Sequence, residues 1–128
     1  MFNLILLAFC CFNFVHSYYV QPEAPWNLAR LSTTNWSAPE EGQTVEYRYP
    51  SNIVNMIQVY ILNGRINEEA ADFGERVRNG PDLSDGGNSQ FDGTGLASLV
   101  NGQTYGVAKN ATVIGVTVVD NDGSVKPR

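Results

Sequence analysis

The residues best suited to chemistry lie between positions 91 and 98 (FDGTGLAS), where Asp92 precedes two glycines. The spacing Gly93-x-Gly95-x-x-Ser98 imitates part of a dinucleotide fingerprint, whose glycines bring phosphate onto a helix N-terminus. That fingerprint requires a strand directly before it, whereas a polar loop precedes this one, and the Asp92 carboxylate would repel phosphate. A nucleotide site is therefore not predicted, and Asp92 is interpreted as the N-cap of a helix.

Other carboxylates could hold a metal or catalyse glycoside hydrolysis. Neither acidic group of the chain has the ligand spacing of an EF-hand calcium loop. Glycoside hydrolysis depends on the distance between two carboxyl groups, which the sequence does not give. Solvated turns are the simpler interpretation, and no metal or other cofactor is predicted. The two acidic groups are Asp82, Asp85 and Asp92, and Asp120 and Asp122.

The N-terminal residues have the pattern of a targeting segment. Residues 4–15 (LILLAFCCFNFV) form an apolar run that is too short to span a bilayer. Val15 and Ser17 fit the small-residue positions before a cleavage point. Residues 1–17 are therefore predicted to be a secretory signal peptide, with a buried N-terminal helix as the alternative, and residues 18–128 a single domain.

Removal of such a signal would also remove the most reactive side chains. Cys10 and Cys11 are the only cysteines of the chain, and His16 is its only histidine. The predicted secreted product thus has no thiol for disulfides and no imidazole for a zinc site or a histidine base.

Charge and sequons bear on partners and on localisation. The formal net charge is −5, which argues against binding to nucleic acid or to anionic membranes, since both favour basic patches. Two Asn-x-Ser/Thr triplets begin at Asn35 and Asn110. They are possible N-glycosylation sites if the protein is secreted from a eukaryotic cell.

The elements that would position these groups follow an α/β order. A helix is predicted over residues 24–31, a short extended piece around Tyr47 and Tyr49, and a strand buried on both faces over residues 56–62. A helical turn over residues 68–73 and a polar loop from Asn79 come next. The predicted helix that begins at Asp92 turns Leu96, Leu99 and Val100 to one face and ends at Asn101-Gly102, before a buried strand over residues 113–119. Strand, helix and strand in this order indicate an α/β fold with a parallel sheet.

Four segments in a fixed order resemble the N-terminal part of the subtilisin-like serine proteases, and most closely the proteinase K branch. They are APWNLARLS, VYILNGRIN, DFGERV, and DGTGLAS followed by GQTYGVAKNATVIGVTVVDNDGS. The resemblance covers residues 24–124. It implies a partial subtilisin-like fold, in which a fragment of a parallel sheet is flanked by helices in three αβα layers.

The same resemblance implies that the catalytic positions are substituted. The family motif Val-Tyr-Val-Ile-Asp-Thr-Gly-Ile aligns with residues 59–66, which places Asn63 at the catalytic aspartate. The motif Gly-His-Gly-Thr-His-Val-Ala-Gly aligns with residues 91–98, which places Asp92 at the catalytic histidine and Gly95 at the second histidine. No counterpart of the serine motif follows before Arg128, so the domain is expected to be truncated.

Three functional hypotheses follow. The first is a secreted, catalytically inactive homologue that binds a subtilase, a protease inhibitor or a propeptide, or that associates with itself through an open sheet edge. The second is a degenerate or incomplete gene product without independent function. The third is an enzyme of another class that uses Asp92 with nearby carboxylates, for which no set of perturbed acids is visible.

Overall fold

A computed structural model describes residues 18–50, 57–85 and 93–125. The predicted signal peptide (residues 1–17) and Asp92 lie outside the described residues. The described elements are β1 (Tyr18–Gln21), α1 (Trp26–Leu31), β2 (Tyr47–Pro50), β3 (Gln58–Asn63), β4 (Val77–Asp82), α2 (Thr94–Asn101) and β5 (Thr112–Thr117). Within this part of the chain, neither helix is long and apolar enough to cross a membrane.

Strands β3, β5 and β4 form a parallel sheet in that spatial order. The register places Gln58 beside Thr112 and Val77 beside Val113. The predicted strand over residues 113–119 is β5, and its continuous apolar sequence suits the central position, where both faces and both edges are occupied. The sheet register shifts between Asn79 and Asp82, so β4 is irregular.

The connection from β3 to β4 has to pass over β5, and together with α2 it forms the main core. Residues 64–76 of this crossover bring Ile66 and Phe73 against Ala97 of α2 and Val113 of β5. Phe73, Ala97 and Val113 are completely buried. The hydrophobic effect of this cluster holds crossover, helix and sheet together.

A second unit is formed by α1 and the antiparallel ribbon of β1 and β2. Leu28 of α1 and Tyr47 of β2 share a small core with Ala24, so the predicted helix and the extended piece around Tyr47 are both present. The Tyr47 hydroxyl donates a hydrogen bond of 2.9 Å to the carbonyl oxygen of Val107. The Lys109 Nζ, which donates to the carbonyl oxygens of Gly102 and Gln103, lies 5.9 Å from the centroid of the Tyr47 ring. These contacts join the ribbon to the segment that follows α2.

The burial predicted for β3 is wrong. Ile61 faces the core, but Tyr60 is 57% exposed and Leu62 65% exposed on the other face. The reason is topological, because β3 is an edge strand of the described sheet and β5 occupies the centre. A continuous apolar run identifies a strand without showing its place in the sheet.

The predicted apolar face of α2 is only partly confirmed, since Val100 alone of its three residues packs against the main core. Leu96 and Leu99 are exposed, whereas Ala97 and Asn101 are buried. Ala97 is small enough for close approach to the sheet, and the Asn101 amide donates hydrogen bonds of 3.1 Å to the carbonyl oxygens of Arg76 and Ala111. A buried polar residue that pairs with main-chain groups is invisible to an apolar pattern.

Candidate functional site

Asn63, which the motif resemblance aligns with the family's catalytic aspartate, is the last residue of β3. Its carbonyl oxygen accepts a 3.0 Å hydrogen bond from the Val118 N–H, which keeps the strand end in the sheet. Its side-chain Oδ1 accepts a 2.7 Å bond from the Gly64 N–H. The half-buried amide thus stabilises the turn that leaves β3, and it carries no charge at any pH.

The start of α2 lies directly against this turn. The Gly93 N–H donates a 2.8 Å hydrogen bond to the Arg65 carbonyl oxygen, and the Thr94 hydroxyl accepts a 2.9 Å bond from the Asn67 N–H. A methyl group on Gly93 would come within 2.7 Å of the Gly64 carbonyl oxygen. We call this contact, formed by residues 63–65 with 93–94, the β3–α2 junction.

The junction contains one of the two chain positions that the sequence singled out. Asn63 lies in it, and Gly93 follows Asp92 directly, although the Asp92 side chain lies outside the described residues. The predicted N-cap role of Asp92 falls on a residue outside the described ones and stays a prediction; Gly93, the residue directly before α2, has φ −74° and ψ −4° and no side-chain cap. The hydrogen bond from Gly93 to Arg65 fixes the chain there, so the helix begins at Thr94.

Glu68 is the carboxylate nearest in sequence to the junction on the crossover. Its Oε1 accepts hydrogen bonds from the backbone N–H and the side-chain Nδ2 of Asn79, at 2.7 and 2.6 Å. These bonds, with a smaller contribution from the Arg65 charge, lower the pKa of Glu68 despite the opposing effect of burial. Glu68 is therefore held ionised, which does not suit it to donate a proton near neutral pH.

Asn79 is a structural residue that the sequence prediction missed, since it was assigned to a loop. Its Oδ1 accepts a 2.9 Å bond from the Ile66 N–H, and its Nδ2 donates at 2.8 Å to the Ile66 carbonyl oxygen. Asn79 thus fixes the crossover to β4 beside an open cavity of about 300 Å³ lined by residues 65–69 and Asn79. The Asn-Gly-Pro sequence indicates a turn and gives no signal for this role.

The acidic residues that the sequence grouped as possible ligands bond to turn and loop groups. Asp82 accepts hydrogen bonds from Ser84, and Asp122 accepts hydrogen bonds from Ser124. The Asp120 Oδ1 accepts a 2.7 Å bond from the Asp85 N–H. Across residues 18–50, 57–85 and 93–125, no group of three or more histidine, cysteine or acidic residues is placed to hold a metal ion.

The two sequons differ in accessibility, because Asn35 is exposed whereas Asn110 is half-buried. Asn35 also lines a second cavity, of about 430 Å³, between α1 and the segment before β2. None of the lining residues belongs to the β3–α2 junction. This cavity is therefore separate from the positions that the sequence singled out for chemistry.

Comparison with known proteins gives a consistent relationship. The chain is 33% identical over 112 residues to subtilisin-like protease 5 of Arthroderma gypseum, which covers 84% of this chain and 26% of that protein. It is 36% identical over 106 residues to a subtilisin-like protease of Coccidioides posadasii, covering 81% of this chain and 25% of the relative. A crystal structure of a cold-adapted subtilisin-like serine proteinase superposes with a TM-score of 0.60 at 28% identity, covering 81% of this chain and 37% of that one. No family model matches the chain.

A parallel sheet whose strand end meets a helix start defines an α/β protein. The chain is homologous to the subtilisin-like proteases, and its fold is part of the subtilisin-like αβα fold, as the sequence predicted. It spans about a quarter of the length of the curated relatives that it matches.

Proposed function

We propose that this chain is a secreted, catalytically inactive homologue of the subtilisin-like proteases and that it acts by binding another protein. The observation that carries the proposal is Asn63, a neutral amide that satisfies the Gly64 N–H at the end of β3. In the serine-protease triad a carboxylate in this role orients the histidine and stabilises its protonated form. Exchange of that aspartate for asparagine lowers kcat about 10⁴-fold in a well-characterised triad.

The second support is the residue at the start of α2. Alignment to the family motif places Asp92 where the general base stands. A serine hydroxyl needs a base whose pKa lies near the working pH, and a carboxylate with a pKa of about 4 is poorly matched to that task. His16 is the only histidine of the chain, and secretion would remove it with the signal.

The proposed partners are proteins that already contact subtilisin-like folds: an active subtilase, a protease inhibitor or a propeptide. The shared part of the subtilisin-like fold supports this choice, because a backbone kept in common can present surface in common. The acidic net charge of −5 favours a partner surface with basic residues.

The test is expression of the full 128-residue chain in a secreting eukaryotic host. We expect the product in the medium to begin at Tyr18. We expect no peptide cleavage above buffer and no labelling by a serine-directed fluorophosphonate, while an active subtilisin in the same assay reacts. Cleavage that such an inhibitor abolishes would overturn the inactivity.

Binding is measured separately, by titrating the purified chain with an active subtilisin-like protease, its propeptide and a proteinaceous inhibitor. A saturable signal with at least one of them, lost when this chain is heat-denatured, is expected. Flat titrations up to about 100 μM, which corresponds to less than about 5.5 kcal/mol of binding free energy, would contradict the binding role.

A further inference from the structure

We propose that Asn63 is a site of spontaneous deamidation, in which the backbone nitrogen of Gly64 attacks the side-chain amide and converts Asn63 to aspartate or isoaspartate. This modification goes beyond the proposed binding role and does not depend on it. Both reacting groups belong to adjacent residues of the chain, so the reaction requires no partner protein and no open surface.

The reaction is an intramolecular acyl transfer without oxidation or reduction. The Gly64 nitrogen forms a bond to Cγ of Asn63, the bond from Cγ to Nδ2 breaks, and Nδ2 leaves as ammonia with the proton of the Gly64 nitrogen. The product is a cyclic succinimide, which a water molecule then opens. Cleavage of the new bond to Cγ gives aspartate, whereas cleavage of the original peptide bond gives isoaspartate; in both cases the nitrogen takes a proton from the water.

The turn after β3 holds the two reacting groups side by side. The Gly64 N–H donates a 2.7 Å hydrogen bond to Oδ1 of Asn63, so the attacking nitrogen lies beside the amide that it attacks. Holding a nucleophile next to its target removes much of the entropic cost of the bond-forming step. Gly64 also has no side chain to hinder ring closure. The fold therefore positions Asn63 for this reaction.

The Asn-Gly sequence occurs three times in the chain, at Asn63, Asn79 and Asn101, and the Asn79 side chain is fixed elsewhere. Its Nδ2 donates to the Ile66 carbonyl oxygen and to the Glu68 carboxylate, at 2.8 and 2.6 Å. Its Oδ1 accepts a 2.9 Å bond from the Ile66 N–H. Rotation of the Asn79 amide towards the next backbone nitrogen would break all of these bonds.

The Asn101 pair is restrained on both sides of the reaction. Asn101 is completely buried, and its Nδ2 donates bonds of 3.1 Å to the carbonyl oxygens of Arg76 and Ala111. The attacking nitrogen is occupied as well, since the Gly102 N–H donates to the Ser98 carbonyl oxygen at 3.0 Å. Breaking two ordinary hydrogen bonds slows a reaction roughly 10- to 100-fold. The structure therefore separates three pairs that the sequence makes equivalent.

The two products differ in their effect on the end of β3. Aspartate places a carboxylate where the motif resemblance aligns the family's catalytic aspartate, and its oxygens accept the Gly64 N–H as the amide oxygen does. Isoaspartate lengthens the main chain before Gly64 and so disturbs the 3.0 Å bond from the Val118 N–H to the carbonyl oxygen of residue 63. Neither product changes Asp92, which aligns with the general base, so the proposed loss of catalysis is unaffected.

The experiment follows all three Asn-Gly pairs in the purified product of the full 128-residue chain. The product is incubated in mildly alkaline buffer, once folded and once in concentrated urea. Peptide mapping by mass spectrometry measures the amide-to-acid mass change at each asparagine over time. In the folded chain we expect Asn63 to deamidate at least about tenfold faster than Asn79 and Asn101. In urea the lead of Asn63 should disappear, because the fold no longer restrains the other two.

The Asn63→Asp variant is the reference for the aspartate product, and it should co-elute on anion exchange with one of the two forms that appear during the incubation. A folded chain in which Asn63 is no faster than Asn79 or Asn101 overturns the proposal. So does a lead of Asn63 that is equally large in urea, because the sequence and not the fold would then set the rate. These results leave the test of catalytic inactivity untouched.

Discussion

Two glycines at the start of α2, separated by a single residue, should respond in opposite ways to the same change. A Cβ on Gly93 would lie 2.7 Å from the Gly64 carbonyl oxygen and 3.1 Å from Cγ1 of Ile66, whereas a Cβ on Gly95 would have no heavy atom within 4 Å. Gly93→Ala therefore tests whether the β3–α2 junction is as close as described, and Gly95→Ala is its matched control.

The expected magnitudes follow from these contacts. Overpacking against backbone costs about 1–3 kcal/mol, and loss of glycine at the N-cap adds about 0.5–1 kcal/mol. The reduced entropy of the unfolded chain returns about 0.4–1 kcal/mol. Gly93→Ala should thus lower the free energy of unfolding by about 2 kcal/mol. Gly95→Ala lies within the helix and should raise it by up to about 1 kcal/mol.

Urea denaturation followed by circular dichroism measures both changes. With a slope of about 1.5 kcal/mol per molar urea, the midpoint should fall by about 1.3 M for Gly93→Ala and rise by up to about 0.7 M for Gly95→Ala. A neutral or stabilising effect of Gly93→Ala would refute the close contact with Gly64. An equal loss in both variants would show that α2 does not tolerate alanine for a reason unrelated to the junction.

Two further predictions concern the crossover. Asn79→Ala leaves the N–H and C=O of the buried Ile66 without their hydrogen-bond partners and should lower the free energy of unfolding by about 2–3 kcal/mol in urea denaturation. Asn67→Ala removes only an exposed 3.1 Å bond from the Glu69 N–H and should cost about 1 kcal/mol or less. Equal losses would contradict the role of Asn79. The pKa of Glu68 in the folded chain lies below its ordinary value of 4.5, so the unfolded chain binds more protons at this residue as the pH falls. The contribution of Glu68 to the free energy of unfolding is therefore present above pH 4.5 and is lost as the pH falls through the folded pKa. Glu68→Gln should flatten the acid limb of a stability–pH curve relative to Glu69→Gln, and an unchanged limb would show that the Asn79 contacts do not hold the charge.

The sequence predicted what depends on local pattern. The apolar run that became β5, the helix of the α1 segment and the extended piece around Tyr47 are all present. The motif order also led to the correct family relationship, because VYILNGRIN and TYGVAKNATVIGV combine specific residues with a specific spacing. Patterns of this kind contain information about which element forms.

What the sequence did not predict depends on partners distant in the chain. Strand β4 (Val77–Asp82, VRNGPD) has no β pattern, and it forms because its backbone pairs with β5 and its Asn79 holds the crossover. The exposure of Leu62 follows from the strand order β3–β5–β4, which no single segment encodes. Propensity and periodicity give weak priors that such tertiary contacts override.

The contacts of the β3–α2 junction stabilise the fold without depending on the chemistry of particular side chains. Its contacts are mainly backbone contacts: Gly93 N–H to the Arg65 carbonyl, Val118 N–H to the Asn63 carbonyl, and a glycine where no side chain fits. Such contacts tolerate a change from Asp to Asn at position 63, since the amide oxygen still accepts the Gly64 N–H. A catalytic triad instead depends on the charge and basicity of individual side chains. The backbone contacts of the junction require neither property. Selection on folding alone would therefore keep the junction without constraining the side chain at position 63, and this is how the proposed loss of catalysis could leave the fold intact.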